Sequence, residues 1–67
     1  MHIILENISN GIKLKVNKAE GNEKWFDENG NQIEEKNHIK TLDEGIIGTE
    51  IGGLLYESRY RIVEVIH

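Results

Sequence analysis

The chain has no cysteine and no proline, and its aromatic side chains are one tryptophan, one phenylalanine and two tyrosines. Without cysteine there is neither a disulfide nor a thiolate metal site to brace the fold. Without proline, the turns must be made by glycine, asparagine and aspartate. No stretch comes near the roughly 20 apolar residues of a helical membrane span, so no membrane association is expected. Met1-His2-Ile3-Ile4-Leu5 runs straight into Glu6, unlike a signal peptide, and a cytoplasmic location is the expectation. Cations are in deficit, 8 Lys and Arg against 12 Asp and Glu, for a formal net charge of −4. That sign opposes general attraction to nucleic acid and leaves room for a basic protein partner.

At 67 residues the chain makes one small domain, residues 1–67, whose core supplies only about 3–5 kcal/mol. Self-association as a homo-oligomer, or folding supported by a partner, is therefore an open alternative. Richness in Ile, Asn, Lys and Glu is what an AT-rich bacterial or phage source produces.

What the chain does have is β-forming sequence, densest at 59–66. Tyr60, Ile62, Val63, Val65 and Ile66 suit a pleated, half-buried surface. With a period of two, Tyr60, Ile62, Glu64 and Ile66 oppose Arg59, Arg61, Val63 and Val65, and neither set is cleanly polar. An inner strand is expected here. Residues 2–8 and 12–18 form a first hairpin around Asn10-Gly11, with Ile12, Leu14 and Val16 turned inward. Lys24-Trp25-Phe26 and 32–36 form a second around Asn29-Gly30, polar enough to sit at an edge or to project. A helix competes only near 38–44, where Asn37 is a candidate N-cap and Gly45 a candidate terminator. Residues 46–51 read as a strand interrupted by Gly48, and Leu54-Leu55-Tyr56 as a segment leading to a corner at Glu57-Ser58. The expected fold is all-β or β-dominated, five to seven short strands in a small barrel or strongly curled antiparallel sheet.

Functional signals are sparse. Gly45-Ile46-Ile47-Gly48 lacks the lysine of a phosphate loop, so its glycines are read as bends in the backbone. His2, His38 and His67 lack the local spacing of a metal site, and neither metal nor cofactor is expected. Ser9 and Ser58 fall at turns, where hydroxyls bond backbone, and no base and orienting group accompany them. The expectation is a protein that is not an enzyme.

Binding is the remaining class. Trp25 and Phe26 are consecutive, so in a strand they point to opposite faces. Together with Tyr56, Arg59 and Tyr60 they supply the residue types that dominate protein interfaces; the plain alternative places both rings in the core. Glu20, Glu23, Asp27, Glu28, Glu34 and Glu35 crowd one third of the chain. They suit a basic partner, as in a small accessory or inhibitory protein acting on a larger one, or are simply a solvated hairpin. The second reading is a single-stranded nucleic-acid binder using Lys13, Lys15, Lys18 and Arg61, with Tyr60, Tyr56 and Trp25 to stack bases. The overall charge disfavours it.

Overall fold

The computed structural model describes residues 1–21, 23–53 and 58–67. The elements run β1 (His2–Asn7), β2 (Lys13–Lys18), β3 (Trp25–Phe26), β4 (Gln32–Ile33), α1 (Lys36–Glu44), β5 (Glu50–Gly52) and β6 (Arg59–Ile66). All pairings are antiparallel, in the order β4-β3-β2-β1-β6-β5, and the sheet curls strongly into a half-barrel. The segment that expectation placed at 54–57, including Tyr56, lies outside the described residues.

The first hairpin pairs His2 with Asn17 through Glu6 with Lys13. Its turn is wider than a two-residue loop. Asn7 holds it, accepting Ser9 N–H at 2.8 Å and Asn10 N–H at 3.2 Å on its side-chain oxygen, while its carbonyl takes Gly11 N–H. Asn7 is therefore buried and satisfied, as a buried amide must be. The wide turn delays β2 to Lys13, so Ile12 stands 66% exposed and does not reach the core as its alternation with Leu14 and Val16 suggested.

The long carboxyl-terminal strand is an inner one, between β1 and β5. Its mixed faces have a cause. Ile4 pairs with Glu64 but Leu5 pairs with Ile62, which leaves Val63 as the extra residue of a bulge. The bulge resets the alternation. Tyr60, Ile62 and then Val65 lie on the core side with Asn7, Leu5 and Ile3, while Arg61 and Glu64 face outward with Glu6 and Ile4.

The second hairpin has two-residue strands and forms one end of the sheet. Asp27 organises its turn, its carboxylate accepting the N–H groups of Asn29 and Asn31, both at 2.9 Å, with Gly30 at φ 84°. From there the chain crosses the inner face as α1 to reach the opposite end of the sheet. Glu35, not Asn37, caps the helix by accepting His38 N–H at 2.9 Å. Gly45 ends it in the left-handed conformation, φ 58°, donating to Thr41. Residues 46–49 are a turn, closed by Thr49 N–H to the Ile46 carbonyl with Gly48 at φ 96°, so the expected strand begins only at Glu50. Leu42 and, in part, Ile39 complete a core of Ile3, Leu5, Val16, Trp25, Ile33, Ile51, Tyr60 and Ile62.

Candidate functional site

The curl separates the residues singled out in the sequence into inside and outside. Trp25 is fully buried and Tyr60 is 6% exposed, both in the core, so neither presents its ring to a partner. This corrects their assignment as contact residues; the plainer alternative, which buried both Trp25 and Phe26, holds for Trp25 and not for the half-buried Phe26. The indole N–H of Trp25 donates to Asp43 Oδ1 at 2.8 Å, and Lys18 Nζ reaches the same oxygen at 3.0 Å while lying over the Trp25 ring. The Trp25 hydrogen bond, then the Lys18 charge, hold the Asp43 carboxyl below its ordinary range. Lys18 is thus committed to fastening α1 to the sheet. It shares the inward parity of Leu14 and Val16, and does not stand with Lys13 and Lys15.

Phe26, Arg59, Lys13, Lys15 and Arg61 all fall on the outer face of the sheet. They do not make a basic track there. Along one row across the strands stand Lys13, Glu6, Arg61 and Glu50, cation and carboxylate in alternation. Glu50 lies 3.7 Å from both Arg59 and Arg61, and the Arg59 guanidinium rests over Gly52, where a Cβ would come within 3.2 Å of it. In the next row Lys15 and Glu64 flank Ile4. A polyanion laid on this face meets a carboxylate beside nearly every cation.

The other feature is a groove of about 390 Å³ where the half-barrel fails to close. Asp27, Asn31, Gln32, Ile33 and Glu34 line it from the β4 side and Gly53 from the β5 side, with Glu35 and His38 of the helix start between them. β4 and the residue that follows β5 thus border one hollow. Its lining carries three carboxylates and, among the described residues, neither lysine nor arginine. Asp27 is buried with its Oδ1 bound to two turn amides, and Glu35 spends one oxygen on the helix cap, whereas Glu34 is exposed and uncommitted. His38 Nε2 donates to the Gly52 carbonyl at 2.9 Å, bridging helix and β5.

Half of this groove was readable beforehand, as the acidic crowding that includes Asp27, Glu34 and Glu35. Gln32 was not singled out, and His38 was weighed only as a metal ligand; no local pattern marks either as a groove residue, because their placement depends on two distant edges curling together. Comparison of the chain with protein-family models, with curated proteins and with solved structures finds no match.

Proposed function

We propose that the chain is a non-catalytic interaction module, a small acidic accessory or inhibitory protein that acts on a larger protein through the groove between β4 and β5. One observation carries this reading: the sheet stops short of closure, and the gap is edged by strand backbone and carboxylates, with neither lysine nor arginine among the described residues that line it. A preformed concave site with a few fixed polar groups is the common form of a binding site. The carboxylates are arranged to hold a positive charge.

The nucleic-acid reading draws on Lys13, Lys15 and Arg61 sharing the outer face, and it is weakened by the interleaved Glu6, Glu50 and Glu64. Immobilised protein separates the two. Retention of a stoichiometric protein partner that is lost with Glu34→Lys and kept with the double variant Lys13→Glu/Lys15→Glu supports the groove. The reverse pattern, with steeply salt-dependent binding to single-stranded oligonucleotides, would replace it with the outer face.

A further inference from the structure

We infer that the groove receives an extended segment bearing lysine or arginine, laid beside β4 as an added antiparallel or parallel strand. This deepens the proposed protein-binding role and rests on it.

The backbone supplies the first argument. Asp27 N–H donates to the Asn31 carbonyl at 2.9 Å, which marks that pair as a hydrogen-bonded one. Bonded and non-bonded pairs alternate along an antiparallel ladder. Phe26 with Gln32 is therefore the non-bonded pair, and Trp25 with Ile33 the next bonded one. The N–H and C=O of Gln32 consequently point away from β3, toward the groove. An edge of this kind is a template for another strand.

At the opposite edge the Gly52 carbonyl of β5 is already taken by His38 Nε2 at 2.9 Å, and Glu50, whose N–H and C=O also face outward, does not line the groove, so a segment entering it meets its pairing groups on β4.

Charge selects the occupant. A strand beside β4 runs past Glu34 and the Asp27 turn, with Glu35 behind, and the whole chain carries −4. Basic side chains alternating with apolar ones satisfy both requirements: the cations reach Glu34, and the apolar positions cover the Ile33 end of the core. An acidic or neutral segment leaves the carboxylates unmatched.

Fluorescence anisotropy with the full chain and a labelled alternating Lys-Val octapeptide tests this. Binding is expected to weaken at least about tenfold with Glu34→Lys, with an alternating Glu-Val peptide, and with a Lys-Val peptide N-methylated on alternate amides, which keeps its charge but cannot pair as a strand. Lys13→Glu/Lys15→Glu should leave it unchanged. Amide exchange at Gln32 should slow on binding. Equal binding of the methylated peptide, or no slowing at Gln32, overturns strand addition. If Glu34→Lys still abolishes retention of the protein partner in that case, the groove reading survives and only the strand geometry falls; if both fail, the groove is not the site. Tryptophan emission of each variant confirms that it is folded.

Discussion

Replacing Asp43 with alanine tests how this small fold holds its helix. Asp43 Oδ1 is the shared acceptor of Trp25 Nε1 at 2.8 Å and Lys18 Nζ at 3.0 Å, and Trp25 is fully buried. Removing the carboxylate leaves an indole N–H without its acceptor. A buried donor so stranded costs about 1–3 kcal/mol, and the partly exposed Lys18 ion pair adds at most about 1 kcal/mol. We expect a loss of about 2 kcal/mol, near half of the roughly 4 kcal/mol that a core of this size supplies. The unfolded fraction then rises from about 0.1% to about 3%. With a urea slope near 1 kcal/mol per molar, the denaturation midpoint falls by about 2 M. The chain has one tryptophan, so its emission reports this very contact during unfolding. A double-mutant cycle isolates the cause. In a Trp25→Phe background, which has no tryptophan and is followed by far-ultraviolet circular dichroism, no indole needs an acceptor, and Asp43→Ala should then cost less than about 1 kcal/mol. Equal losses in both backgrounds, or a loss below about 0.5 kcal/mol in the first, would refute the role given to this hydrogen bond.

Two further outcomes follow from the same geometry. Because the folded state holds the Asp43 carboxyl below its ordinary range, the unfolded chain binds that proton more readily, and the contribution present at neutral pH is lost as pH falls below about 4. Asp43→Asn, whose side-chain oxygen still accepts from Trp25, should flatten the fall in urea midpoint between neutral and acid solution by the equivalent of less than about 1 kcal/mol, since the group is partly exposed; an unchanged acid slope contradicts the assignment. Deleting Val63 removes the bulge residue yet keeps Glu64 outward and Val65 inward, so the variant should fold with loss of less than about 2 kcal/mol. Deleting Ile4 turns Leu5 out of the core and should prevent folding. Thermal melts of the two deletions settle it, and similar destabilisation by both contradicts the bulge.

Local features were legible in the order of residues. Asn and Gly marked the two hairpin turns, Gly45 the helix end, and β-branched and aromatic residues the last strand, because each such choice acts on its own few dihedral angles. Alternation showed that Trp25 and Phe26 oppose each other, but only the curled sheet and its crossing helix decide which one is covered. Lys18 looked like one more solvated lysine until Asp43, 25 residues later, came within reach. The faces of the last strand stayed ambiguous because a bulge shifts parity by one residue, and what induces it is the pairing with β1. The groove lies furthest from the sequence. It exists because strands 32–33 and 50–52, at opposite ends of one sheet, are brought to face each other by its curl, and a shape made by curvature has no signature in any single stretch of chain.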